Sequence, residues 1–198
     1  MSMLKNLSDY NTFSKVIKKI GTDMSNLQEK TVSSKTTYQG AVINVRRDDV
    51  VLSDGHECFR EVVEHPGGVV IVPITHDNKI ILVKQWRYPI GQELIELPAG
   101  KLERGENPFL AAKRELQEET GYIAECWDSL GHIFTAPGFC DEKLYIYKAT
   151  CLTLKQPNPD EGEIIHSFEI TIEQALDMIK SGKINDAKTI AGINLAIQ

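Results

Sequence analysis

Apolar residues fall into two spacings along the chain. Short, nearly continuous runs mark strands, and i, i+3, i+4 stripes mark helices. The runs VVIVPIT (69–75) and KIILVKQW (79–86), joined by His76-Asp77-Asn78, predict strands buried on both faces. GQELIEL (91–97) predicts a further strand leading into Pro98-Ala99-Gly100. Ahead of these, 40–46, 49–53 and 57–64 read as three strands, with Asp54-Gly55 as a hairpin turn. Such a meander is too small to stand alone and must pack on the main domain or on another chain. Further strands are expected at 123–127, 130–135, 143–150 and 164–170, with loops at 135–142 and 156–163. Helical spacing appears at Phe13, Val16, Ile17 and Ile20, and again at Phe109, Ala112 and Leu116. Asn107-Pro108 starts the latter helix and Gly121 ends it. Thr171 and Gln174 form a capping box for a third helix, which stops at Ser181-Gly182. A fourth starts near Asn185 or Asp186.

Strands with one central helix and one or two terminal helices predict an α/β sandwich. His65-Pro66-Gly67-Gly68 breaks the pattern. The chain thus divides into an N-terminal extension (1–35), a strand meander (36–66) and a main domain (67–198). At 198 residues it is long enough for one core plus an appendage. The net charge of −6 argues against a nucleic-acid-coating surface. No apolar run reaches membrane-spanning length, and no signal peptide is visible. Cys58, Cys126, Cys140 and Cys151 are scattered and read as reduced thiols of a cytoplasmic protein. The lysines around Phe13–Ile20 admit a membrane-surface or partner-binding helix, but packing on its own domain or a dimer mate is the simpler reading.

The helix after Asn107 carries the chemistry. Glu115 and Glu119 are one turn apart, with Glu118 on the flank of the same face. Three carboxylates on one face repel unless cations join them, and hard oxygen donors suit Mg²⁺ or Mn²⁺. A solvated acidic face is the competing reading. Spacing decides between them: Gly100, five residues, Glu106, seven residues, Arg114-Glu115-Leu116, one residue, Glu118-Glu119, one residue, Gly121. This pattern resembles the complete Nudix box of hydrolases that act on nucleoside diphosphates linked to another group. It departs only at Tyr122, where the box has an aliphatic packing residue.

The resemblance implies a Nudix-type α/β/α sandwich with a mixed sheet, preceded here by a small antiparallel sheet. Pro137, sixteen positions after Gly121, resembles the marker of the ADP-ribose pyrophosphatase subgroup, as do KQWRYPI (84–90), ELPAGKLE (96–103), the Ala136-Pro137-Gly138-Phe139 pattern and DAKT (186–189). In that subgroup the N-terminal strands help to form a homodimer. The likeness covers residues 36–198 and implies Mg²⁺-dependent cleavage of ADP-ribose to AMP and ribose 5-phosphate. The alternatives are a broader nucleoside diphosphate sugar hydrolase or a non-catalytic ADP-ribose sensor, and the intact box speaks against the sensor.

Glu115 and Glu119 are the first candidates as metal ligands and Glu118 the third, with the Ala99 carbonyl added by resemblance. Arg114 is suited to orient a box carboxylate through a bidentate pair, which Glu106 would close. Glu142 is the candidate general base, against the alternative of a solvated loop residue. Together with Glu118 and Arg114 it makes up the expected catalytic group. Arg87, and less strongly Arg60 donated across a dimer, resemble the family's diphosphate-gripping arginines. Glu96 is a candidate acceptor for ribose or base groups. Tyr38, Trp86 and Phe139 are candidates to stack on adenine, although Trp86 and Phe139 fit a core equally well. Cys140 reads as a small packing residue rather than a redox group.

Overall fold

A computed structural model describes residues 27–155 and 164–198. The helix expected over Phe13–Ile20 and the acidic loop at 156–163 lie outside them. The chain divides into two compact units: residues 1–37 with 46–61, and residues 38–45 with 62–198.

The first unit is built on a three-stranded sheet, β1 (Lys30–Gln39), β2 (Asn44–Val51) and β3 (Glu57–Glu64), in the order β1-β2-β3. Asp54-Gly55 forms the expected turn, with Gly55 at φ 90 and its N–H donating to Leu52 O. The strands expected over 40–46 and 49–53 are corrected: residues 40–43 form a turn closed by the Gly40 N–H on Ile43 O, one strand, β2, runs through the expected break at 47–48, and the first strand lies ahead of both. β1 reads KTVSSKTTYQ and is exposed along its whole length. With no buried face it has no apolar alternation, so the hydrophobic pattern could not reveal it. The serine hydroxyls of β1 tie it to β2: Ser33 donates to Asp49 at 2.8 Å and Ser34 to Asp48 at 2.6 Å.

The second unit is the sandwich expected from the sequence. One sheet has the order β7-β4-β9-β8, formed by Ala99–Lys101, Gly68–Pro73, Lys143–Leu154 and Tyr122–Phe134. Its β4/β9 pair is parallel and its other pairs antiparallel. The other sheet, β10-β5-β6, joins Ile165–Thr171, Lys79–Arg87 and Gln92–Glu96. Every residue of β4 is buried, as its unbroken apolar run requires. Side chains alternate along it. Val69 and Ile71 pack with Ala111, Ala112 and Leu116 of helix α1 (Pro108–Thr120). Val70 and Val72 face the opposite way, toward Ala175 of α2 (Ile172–Lys180) and Ile193 of α3 (Ala187–Ala196). Two cores thus lie on either side of one sheet, each closed by helix.

Two expectations need correction. Residues 123–127 and 130–135 are one thirteen-residue strand, not two. A bulge between Ser129 and Gly131, with Gly131 at φ 95, bends the strand without ending it. The cysteines are not all reduced: Cys126 and Cys151 form a disulfide, their Cα atoms 5.6 Å apart. Antiparallel pairing of β8 with β9 sets Cys126 opposite Thr150, next to Cys151, a proximity that their sequence spacing does not announce. Cys58 and Cys140 remain free. Among the described residues no helix is long and apolar enough to cross a membrane.

Candidate active site

Helix α1 is fixed at both ends. The Asn107 side chain accepts from the N–H groups of Phe109 and Leu110, and Gly121 closes the helix in the left-handed conformation at φ 75. Its buried Ala111, Ala112 and Leu116 set the helix against β4, which turns the opposite flank toward β7. There Glu119, only 8% exposed, accepts a 2.9 Å hydrogen bond from the Ala99 N–H. Glu115 packs over Gly100 so closely that a β-carbon at residue 100 would overlap its carboxyl group. Both carboxylates therefore converge on the same dipeptide, Ala99-Gly100. This is not a solvated acidic face.

Arg114 joins the rest of the acidic set. Its Nε and Nη2 meet the two carboxyl oxygens of Glu106, each at 3.2 Å. Its Nη1 reaches Glu118 at 2.7 Å and Glu115 at 2.8 Å. Glu106 in turn accepts from the Glu103 N–H at 2.9 Å. Burial disfavours the Arg114 cation, but the bond to Glu106 and the charges of Glu115 and Glu118 outweigh it and raise its pKa. The bond from Arg114 likewise holds Glu106 below its ordinary value.

Among the described residues, no three or more His, Cys, Asp or Glu side chains are gathered as a metal site, since Glu115 and Glu118 are drawn to Arg114 and Glu119 to the Ala99 amide. The donor chemistry nevertheless fits a hard divalent cation. Two carboxylates bear on one short stretch of backbone: Glu115 fills the space a side chain on Gly100 would need, and Glu119 lies on the Ala99 amide.

Beside Ala99-Gly100 opens a cleft of about 430 Å³, lined among others by His65, Arg87, Thr135, Glu142 and Lys188. Arg87, at the end of β5, donates from Nε to Glu96 Oε1 at 2.7 Å and from Nη2 to Oε2 at 2.6 Å. Lys188 donates to the same Oε2. Burial alone would raise the pKa of Glu96, but its bonds to Arg87 and Lys188 lower it. The expectation that Glu96 receives ribose or base groups is therefore corrected: it is fully buried and its oxygens are already taken by two cations.

On the far side of the cleft, Glu142 is held at two points. The Thr135 hydroxyl donates to its Oε2 at 2.7 Å, and His65 Nδ1 lies 3.3 Å from its Oε1. Its loop is a compact turn with Pro137 in second position, closed by the Phe139 and Cys140 N–H groups on Ala136 O. The end of β3 and the residue that follows it secure this turn. Val63 N–H donates to Phe139 O, Asp141 N–H to Val63 O, and His65 N–H to Asp141 Oδ1 at 2.8 Å. Cys140 takes part in this contact through a bridge to Val63. Trp86 and Phe139, for which a core position was one reading, are 59% and 60% exposed. Tyr38 is exposed as well. Arg60 belongs to the first unit, where it donates to Glu29 at 2.5 Å.

Three cleft residues escaped sequence reading. His65 stood out only as part of a chain-breaking stretch, Thr135 only as the start of a loop, and Lys188 only as part of DAKT. None has a spacing signal, because each is brought to the cleft from a different element.

Residues 64–192 match the NUDIX domain, and 29–63 match the nucleoside diphosphate sugar hydrolase N-terminal domain. The chain belongs to the Nudix hydrolase family. It is 42% identical to the methanol dehydrogenase activator of Bacillus methanolicus, across 84% of this chain and 91% of that one. It is 41% identical to the ADP-ribose pyrophosphatase of Bacillus subtilis (strain 168), across 86% and 93%. A solved ADP compounds hydrolase superposes with a TM-score of 0.77, covering 87% of this chain and 94% of that one, and at 24% identity it speaks for the fold alone.

Proposed function

We propose that this protein hydrolyses the pyrophosphate bond of ADP-ribose to AMP and ribose 5-phosphate, with Mg²⁺ as its cofactor and Mn²⁺ as a substitute. One observation carries the reading: Glu115 and Glu119 meet on Ala99-Gly100 at the edge of a cleft that also holds Arg87 and Glu142. The ADP-ribose pyrophosphatase relative, matched across most of both chains, supports the substrate.

Glu115 and Glu119, with Glu118 and the Ala99 carbonyl, hold the metal. When bound there, the cation would offset the charge of the diphosphate and make water a better nucleophile. Arg114 keeps Glu115 and Glu118 in place through its grip on Glu106. Arg87 binds the diphosphate with the guanidinium edge that Glu96 leaves open. Glu142 takes the proton as water adds to phosphorus. The bond from that phosphorus to the bridging oxygen breaks, and the oxygen leaves with the other phosphate. Thr135 fixes the Glu142 carboxylate for that task.

Pro137 sets the turn that presents Glu142, and Phe139, exposed on that turn, is available to stack on adenine. The protein works as a homodimer through its N-terminal strands, which would also bring Arg60 to a partner's substrate. A cytoplasmic location fits a nucleotide substrate, and the reaction as written calls on neither nucleic acid nor membrane.

A wider range of nucleoside diphosphate sugars is the second reading, favoured by the match at residues 29–63. Incubation with Mg²⁺ and a panel of ADP-ribose, ADP-glucose and GDP-mannose, followed by product separation, decides between them. Preferred release of AMP from ADP-ribose supports the proposal. Equal turnover of the panel supports the second reading, and no turnover of any member sinks both. Running the reaction in ¹⁸O-labelled water shows which phosphorus is attacked, and sedimentation velocity tests the dimer.

A further inference from the structure

The first turn of α3 reads Asp186-Ala187-Lys188-Thr189, and its polar side chains form a latch to the end of β6. Asp186 caps the helix. Its Oδ2 accepts from the Thr189 N–H at 3.0 Å and from the Thr189 hydroxyl at 2.6 Å. That hydroxyl in turn accepts from the Leu97 N–H at 2.8 Å. Thr189 is fully buried, and Gly192 lets the helix lie directly against Leu97 and Val72. The position of Lys188 is therefore set by backbone docking, not by the reach of a long side chain.

Lys188 Nζ donates to Glu96 Oε2 and, at 3.0 Å, to Asp186 Oδ2. An ammonium has three donors, so one remains. Arg87 uses Nε and Nη2 on Glu96 and keeps Nη1. Both cations line the same cleft as Glu142. Lys188 is shared between Glu96 and Asp186, so two cations and two carboxylates balance in charge, and what the group offers an anion is the unused N–H donors of Arg87 and Lys188, both of which line the cleft. We infer that Lys188 is a second cationic contact for the substrate's diphosphate, held beside Arg87 by their shared carboxylate Glu96. The inference rests on the nucleoside diphosphate reading of the cleft. It assigns the docking of α3 a role in setting the distance between two phosphate-binding groups.

The test compares wild type, Lys188→Met and Lys188→Arg in ADP-ribose hydrolysis with Mg²⁺, alongside calorimetric binding of ADP and of inorganic pyrophosphate. Loss of one charge-assisted contact should raise KM and weaken both ligands about tenfold, with kcat changed far less. The Arg variant should recover part of the affinity, and the salt dependence of binding should be shallower in the Met variant. A folded Met variant with unchanged KM and unchanged ADP affinity overturns the inference. So does a variant that loses kcat and melting temperature together while its KM stays put, since that marks a purely structural lysine. If Lys188→Met does not fold, Lys188→Gln keeps a polar end toward Glu96 and Asp186 and still lacks the second cation. The same rise in KM is expected there, and its absence counts against the inference. Should the wild type hydrolyse none of the nucleotides, the functional reading fails by itself, and weaker pyrophosphate binding by the Met variant still decides the role of Lys188.

Discussion

Glu115 occupies the space that any side chain on residue 100 would need: a β-carbon there would overlap its carboxyl group. The glycine of β7 and the glutamate of α1 are therefore one feature, built from two elements. Gly100→Ala should displace the Glu115 carboxylate and leave α1 and β7 in place, because the obstruction is the end of a side chain. Turnover should fall at least a hundredfold and the Mg²⁺ concentration for half-maximal rate should rise, while the melting temperature shifts by only a few degrees. A titration of rate against Mg²⁺ for both proteins checks this, and an unchanged metal requirement would mean that Glu115 is not a ligand.

Glu119 offers a cleaner removal of charge. It is nearly buried and accepts from the Ala99 N–H, and a glutamine can still accept that bond through its amide oxygen. Glu119→Gln should therefore keep the fold and lose turnover by several orders of magnitude, on the order of what deletion of a metal ligand costs. A near-normal kcat in a variant with an unaltered melting curve would take Glu119 out of the metal site.

Glu142 and Thr135 separate base from support. If Glu142 accepts the proton of the attacking water, Glu142→Gln lowers kcat by about a hundredfold to ten-thousandfold and raises KM much less. Thr135→Val removes the 2.7 Å bond to Oε2 but leaves the carboxylate, so it should give a smaller loss in kcat in the same direction. Steady-state kinetics on both variants provide the check, and a change confined to KM would reassign Glu142 to binding.

How much of this could be read from the sequence depends on what each residue's neighbours are. The box residues were legible because Gly100, Glu106, Arg114, Glu115 and Glu119 lie within one loop and one helix, where spacing translates into geometry. The double-sided burial of β4 was legible for the same local reason. Glu96 was misread because its partners lie on β5, nine residues back, and on α3, ninety-two residues on, and a lone glutamate in a strand does not reveal whether it faces substrate or salt bridge. The Cys126–Cys151 pairing depends on the register of β8 against β9, which hydrophobic periodicity does not specify. The polar β1 escaped notice because a strand with both faces exposed carries no alternation.

Glu96 also ties the site to acid stability. Its pKa is held below the ordinary value of 4.5: burial pushes upward, and the bonds to Arg87 and Lys188 push down further. A carboxyl whose folded value is depressed binds fewer protons in the native state than in the unfolded one. Its contribution is fully present above the unfolded value and is lost as pH falls through the lower, folded one. At neutral pH, Glu96→Gln leaves Arg87 and Lys188 without their shared anion, at a cost on the order of 3 kcal/mol. Below about 4.5 the unfolded chain takes up its proton first, and the advantage shrinks until the folded carboxylate protonates at its lower value. The gap in melting temperature between wild type and variant should therefore be widest near neutrality and narrow progressively in acid. Thermal melts of both proteins across that range test the argument. A gap that stays constant from neutral to acid pH would show that Glu96 contributes through packing alone and not through its charge.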